Sequence, residues 1–186
     1  MWHYRNGMAL CWGLNIKGQL GDGTTTDSNA PIVVSGGHSF LAVSAARDHT
    51  CGVARGGQAL CWGLNLFGQF GNGTLTDSAV PVAVSGGYNF IAISTVSFHS
   101  CAVTKGGQVL CWGLNDRGQL GNGTTTDSTV PVAAGGTAFL AVSAGGSHSC
   151  GTTRSLGTWC WGYNLYGQLG NGTNTDAAGP SPVTTP

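Results

Sequence analysis

The chain has 186 residues, of which 33 are glycine and 8% are charged; seven Lys plus Arg balance seven Asp, and the formal net charge is zero. Average chains hold about 7% glycine and about 25% charge. Neutrality excludes the basic face of an electrostatic nucleic-acid binder and of a polybasic membrane-surface protein. The 41% hydrophobic content excludes a disordered chain, and no stretch approaches the roughly 20 apolar residues of a membrane-spanning helix.

The chain repeats itself along its whole length. Leu10-Cys11-Trp12-Gly13-Leu14-Asn15 returns at 60–65 and 110–115, and as Trp159-Cys160-Trp161-Gly162-Tyr163-Asn164. The cysteines of this motif are 50, 50 and 49 residues apart. Each copy continues with Gly-Gln-Leu-Gly or Gly-Gln-Phe-Gly, a Gly-Asp/Asn-Gly-Thr-x-Thr-Asp loop, and a proline (Pro31, Pro81, Pro131 and Pro180). Self-similarity at such a period marks a repeat architecture. The predicted units are a partial one at 1–38 and full ones at 39–88, 89–137 and 138–186, within a single repeat domain 1–186.

In the unit 39–88 the predicted strands are 40–44, 50–54, 59–63 and 80–84. Arg55-Gly56-Gly57-Gln58 supplies a hairpin turn. Pro81 lacks an N–H, so the last strand lies at an edge or begins at the proline. No 3.6-residue stripe exceeds one turn, so helices are not expected. Four short strands per repeat form the blade of an all-β propeller.

The Gly-Asn-Gly-Thr loops read as self-capped turns, because Gly and Asn tolerate positive φ and Thr and Asp bond their own backbone. Their oxygens leave calcium as an alternative, although the distal Glu of a calcium loop is missing. Asn72, Asn122 and Asn171, each followed by Gly-Thr, match the N-glycosylation acceptor pattern; loop chemistry alone also accounts for them.

Cys-Trp-Gly-Leu-Asn-x-x-Gly-Gln-Leu-Gly-x-Gly, followed by Pro, Ala-Val-Ser-Ala and His-Ser-Cys, resembles the repeat of the regulator of chromosome condensation (RCC1) family. The resemblance implies RCC1-like blades, here about 3.7 repeats forming an open arc or part of a closed ring. It does not imply the founding activity, nucleotide exchange on a small GTPase, since bacterial secreted members use similar blades, among them a β-lactamase-inhibiting protein. Fold alone does not assign function.

Cys51 and Cys61, Cys101 and Cys111, and Cys150 and Cys160 flank hairpin turns at one spacing. Opposed hairpin positions sit about 4.5–5.5 Å apart, which suits three disulfides and an oxidising compartment, extracellular or periplasmic. Reduced cysteines packed in a core are one alternative. A zinc set drawn from His49, His99 or His148 with the neighbouring cysteines is another; the resemblance implies that these histidines are core residues bonding a turn. Cys11 has no partner, because Met1 occupies the place of Cys51. The first strand of the first unit is missing, as in a segment of a longer chain.

Four of the seven Asp (Asp27, Asp77, Asp127 and Asp176) share one loop position, whereas paired-carboxylate catalysis needs two environments. There is no nucleophile elbow, Walker loop or dinucleotide fingerprint. No enzyme and no cofactor are expected. An open arc exposes apolar sheet faces, so the first functional expectation is a secreted, non-catalytic scaffold that associates with its own copies, as a ring or filament, or with the rest of a longer propeller. The alternative is a module gripping a protein or carbohydrate with its loop tips, where Phe67, Arg117 and Tyr166 vary between copies. No nucleic-acid or membrane partner is expected.

Overall fold

The computed structural model describes residues 2–5, 7–136 and 138–184, the first four by their backbone. All regular structure among the described residues is β. Sheet 1 holds β1 (Trp2–Arg5), β2 (Met8–Gly13) and β3 (Ser28–Val33). Sheet 2 runs β4 (Phe40–Ala45), β5 (His49–Ala54), β6 (Ala59–Gly63) and β7 (Ser78–Ala83). Sheet 3 runs β8 (Phe90–Val96), β9 (His99–Thr104), β10 (Val109–Gly113) and β11 (Ser128–Ala133). Sheet 4 runs β12 (Phe139–Gly145), β13 (His148–Thr153), β14 (Thr158–Gly162) and β15 (Ala177–Pro182). Neighbours pair antiparallel in chain order. The sheets make an open arc of propeller blades in which β4 packs on β1 and β2, β8 on β4 and β5, and β12 on β8 and β9.

Strand alternation decides what meets at each junction. In sheet 2, Cys51, Val53, Ala59 and Cys61 share one face, and they form one core with Phe90, Ala102, Leu110 and Trp112 of sheet 3. Cys101, Val103, Val109 and Cys111 meet Phe139 and Trp161 of sheet 4 in the same way. β6 and β10 are buried along their length because both of their faces are covered. The glycine that opens each Gly-Asp/Asn-Gly loop is required here. Gly21, Gly71 and Gly121 have φ of +76°, +68° and +73°, and a Cβ at each would sit within 3 Å of the ring of Trp62, Trp112 or Trp161.

Two expectations need correction. The last strand of sheet 2 begins at Ser78 rather than at residue 80, because Gly63 pairs with Ser78 beyond a register shift; it is the edge strand, which accommodates Pro81. In sheet 1 the register sets Trp2, not Met1, opposite Cys11. Four residues separate the paired Tyr4 and Ala9, against five between Val53 and Ala59, so the shorter turn moves the partner by one. Met1 itself lies outside the described residues.

Candidate functional site: the loop tips and the outward side of sheet 4

The long loop after the third strand of each full sheet, and after β2, is wired by one buried asparagine. The N–H of Asn15, Asn65, Asn115 and Asn164 donates to Asp27, Asp77, Asp127 and Asp176 at 2.7–2.8 Å. Their Oδ1 accepts from the backbone N–H of Leu20, Phe70, Leu120 and Leu169 at 2.9 Å. Their Nδ2 reaches the carbonyls of the Thr residues in the loop. The repeated carboxylates are thus loop caps. A glutamine side chain then pins each tip, with Oε1 accepting the N–H of Lys17, Phe67, Arg117 and Tyr166 at 2.8–2.9 Å. The tips are preorganised.

The first three loops also reach forward to the next sheet. Gly23, Gly73 and Gly123 donate to the carbonyls of Ala79, Thr129 and Ala178 at 2.8–2.9 Å. The carbonyls of Gln19, Gln69 and Gln119 accept the indole N–H of Trp62, Trp112 and Trp161 at 2.7–3.0 Å. The same carbonyls accept the hydroxyls of Thr50, Ser100 and Ser149 at 2.9–3.0 Å.

His49 Nε2 lies 3.1 Å from Ser100 Oγ, and His99 Nε2 lies 3.0 Å from Ser149 Oγ. Each serine proton is committed to a glutamine carbonyl, so the histidine must be the donor, which fixes the Nε2–H tautomer. These pairs are not nucleophile–base dyads. The base points its proton at the serine, His49 Nδ1 has no hydrogen-bond partner among the described residues, and both members are buried. Burial pushes His49 down to about 4, against a smaller upward pull from the nearby Ser97 backbone. Burial, then the charges of His49 and His148, push His99 down to about 3. Burial also lowers His148.

Disulfides join Cys51 to Cys61, Cys101 to Cys111 and Cys150 to Cys160, with Cα atoms 4.0–4.1 Å apart across the hairpins. Their sulfurs are bonded to each other, which removes the zinc alternative. Cys11 is free and buried, and burial raises its thiol to about 11.

The three variable tips do not form one surface. Phe67 is half-buried, its ring 5.0 Å from that of Phe98 in the β8–β9 turn, so it packs sheet 2 on sheet 3. Arg117 crosses to sheet 4. Its guanidinium lies 5.2 Å from the Tyr163 ring centroid, 3.6 Å from Asp176 and 3.8 Å from Asp116. Tyr166 is 81% exposed and stands edge-on to Tyr163 at 6.2 Å. Tyr163 completes this cluster. It occupies the place of Leu14, Leu64 and Leu114, and that single change of residue type was its signal in the sequence. Asn174 Nδ2 donates to the Leu165 carbonyl and braces the tip from below. Asn72, Asn122 and Asn171 lie one per loop, each Oδ1 accepting from the Thr two residues on.

Beyond the tip, the outward side of sheet 4 differs from the inner junctions. Thr152 and Thr158 stand where Val53 and Ala59, and Val103 and Val109, are buried; Thr152 is exposed and Thr158 half-buried.

No curated protein matches the sequence. Among solved structures, human WBSCR16 superposes with a TM-score of 0.87 at 25% identity, over 97% of this chain and 49% of that one. Yeast RCC1 (Prp20), solved bound to Kap60, gives 0.81 at 20% identity over 96% and 45%. The ectodomain of the Physcomitrella patens receptor kinase CR4 gives 0.59 at 24% identity over 89% and 39%. The chain spans about half the length, or less, of these structures. The model of the regulator of chromosome condensation (RCC1) repeat matches residues 6–53, 56–103 and 106–151, and a second RCC1 repeat model matches 40–69 and 90–119. With its wired loops and its Trp-to-Gln junctions, the chain belongs to the RCC1 repeat family.

Proposed function

We propose that the chain is a non-catalytic, protein-binding set of propeller blades working in an oxidising compartment, extracellular or periplasmic, and that its contact face is the tip cluster Arg117, Tyr163 and Tyr166. The observation that carries this reading is Tyr166, held rigid by Gln168 yet 81% exposed beside an aromatic-stacked arginine. Tyr and Arg are the residue types that dominate interface energetics, and a pinned tip loses little entropy on binding. The three disulfides support the compartment.

The test is selection of peptides from a random displayed library against the protein, with affinities remeasured on Arg117→Ala and Tyr166→Ala. Truncating such a residue is expected to weaken the selected peptides roughly tenfold or more, the scale of an interface hot spot. Peptides that bind both variants unchanged overturn the reading. Binding of a neutral glycan abolished by Tyr166→Ala, with no peptide selected, replaces the protein partner with a carbohydrate.

Self-association, as a ring or a filament, is the second reading. The Gln168 carbonyl and Gly172 N–H repeat the groups that hold the inner junctions, and neither meets a partner among the described residues. A further blade seated there would also cover Thr152 and Thr158 at positions where the inner junctions hold Val or Ala. Each hydroxyl buried without a partner costs about 1–3 kcal/mol, which is why this reading ranks second. Light scattering across a concentration series separates the two: a mass that doubles or grows with concentration favours copies, and a constant monomer removes them.

A further inference from the structure

Three loops contain the same tetrapeptide, Gly-Asn-Gly-Thr, at Asn72, Asn122 and Asn171. An Asn-Gly step is chemically labile. The glycine backbone nitrogen attacks the asparagine Cγ, the side-chain nitrogen leaves as ammonia, and a five-membered imide forms. Water then opens the imide to aspartate or isoaspartate. The reaction needs a free glycine N–H and enough backbone rotation to bring that nitrogen to Cγ. In all three loops Oδ1 accepts from the Thr backbone N–H and hydroxyl two residues on; Asn122 and Asn171 alike accept a further bond from Asn115 or Asn164 Nδ2 at 3.3–3.4 Å.

The nucleophile differs. Gly73 N–H is held by the Thr129 carbonyl and Gly123 N–H by the Ala178 carbonyl, both at 2.8 Å. The same loops are clamped a second time: any Cβ on Gly68 or Gly118 would sit within 3 Å of the Cα of Thr129 or Ala178. Gly172 N–H meets no acceptor among the described residues, and the nearest atom to a Cβ on Gly167 would be Asn174 Nδ2, at 3.9 Å. One bond opposes the reaction at Asn171, from Nδ2 to Ser181 Oγ at 3.1 Å. It ties the side chain at the surface and does not hold the main chain, whereas the inner loops cannot rotate without leaving the next sheet.

We infer that Asn171 is a site of spontaneous deamidation in the folded protein, while Asn72 and Asn122 are protected. Aspartate is compatible with the position. Asp22 occupies it in the first loop and accepts from the Thr24 N–H, the Thr24 hydroxyl and Asn15 Nδ2 at 3.0–3.2 Å. The isoaspartate product adds a backbone atom to the loop that carries Tyr166. The inference does not depend on what the Tyr166 tip binds; it rests on the Gly172 N–H being uncovered, so a further blade or second copy seated on that side would protect Asn171 as its neighbours are protected.

The experiment is peptide mapping by mass spectrometry after incubation at mildly alkaline pH. In the folded protein Asn171 is expected to deamidate at least about fivefold faster than Asn72 or Asn122, the factor that a difference of about one hydrogen bond sets. In concentrated urea with the disulfides reduced, the three identical tetrapeptides should react at one common rate. Low urea should accelerate Asn72 and Asn122, which wait on opening of their junctions, and leave Asn171 unchanged. Equal rates in the folded protein overturn the inference, and so does a rate at Asn171 that rises with urea as steeply as the other two.

Discussion

Trp112 donates its indole N–H to the backbone carbonyl of Gln69, 2.7 Å away in the loop that follows β6, while its ring is fully buried against the Gly71 end of that loop. One side chain therefore fills the core of a junction and fastens the loop beside it. Trp112→Phe should cost about 1 kcal/mol for the lost hydrogen bond, with Ser100 still donating to the same carbonyl, plus a cavity term for the missing indole atoms. Trp112→Ala should cost about 3–5 kcal/mol. Urea unfolding followed by circular dichroism measures both; equal losses would mean that the ring is not the main contributor.

Paired glycine substitutions separate backbone strain from crowding. Gly121→Ala and Gly123→Ala both place alanine at positive φ, +73° and +83°, which costs about 1–2 kcal/mol. Only at Gly121 would the new methyl meet a ring, 2.7 Å from Trp161 Nε1; at Gly123 there is open space. Gly121→Ala should therefore lower the urea midpoint distinctly more than Gly123→Ala, and equal midpoints would contradict the close loop-to-tryptophan approach.

Acid should weaken the junctions. His49 and His99 sit at about 4 and about 3 when folded, below the ordinary histidine value of 6.5. As pH falls below about 6.5 the unfolded chain takes up protons that the folded chain refuses, so stability is full above that value and declines until the folded groups titrate. The urea midpoint should fall between pH 7 and pH 4.5. The decline should be shallower in His49→Gln and His99→Gln variants, each compared with its own value at pH 7.

Each disulfide closes a separation of 10 residues, for which chain entropy gives about 2–3 kcal/mol per bond. Reduction should cause a large fall in melting temperature. In the native protein Cys11, buried and raised to about 11, should resist thiol reagents at neutral pH and react only on unfolding. Rapid native labelling would contradict its burial.

The strands, the hairpin disulfides and the backbone-bonding role of the repeated aspartate were legible because they depend on spacing inside one repeat; the buried asparagine that wires each loop and the glutamine that pins each tip were not, and none of the loop asparagines uses the positive φ expected of it. Contacts between repeats were not legible either. Phe67 and Tyr166 occupy the same slot, yet Phe67 is half-buried because the turn it faces carries Phe98, whereas the structure places Tyr166 in the open. The clustering of Arg117 with Tyr163 is likewise a contact across a junction, between residues 46 positions apart (163 − 117). The shift from Met1 to Trp2 opposite Cys11 came from one residue missing in a turn, which a fixed offset of 50 cannot register.

Every fastening between neighbouring sheets described here runs one way, from the loop, turn or histidine of one sheet to the sheet that follows it. The blades overlap like roof shingles, each lapped by the one before. Lifting the first would strip the second of the Gln19 carbonyl that caps Trp62 and of the Gly7 carbonyl that receives Phe40. Lifting the last would likewise leave the Gly123 N–H, the His99 Nε2–H and the Gln119 carbonyl of the blade before it without their partners. Each junction holds both of its sheets, so loss of either end should fray the array inward one junction at a time.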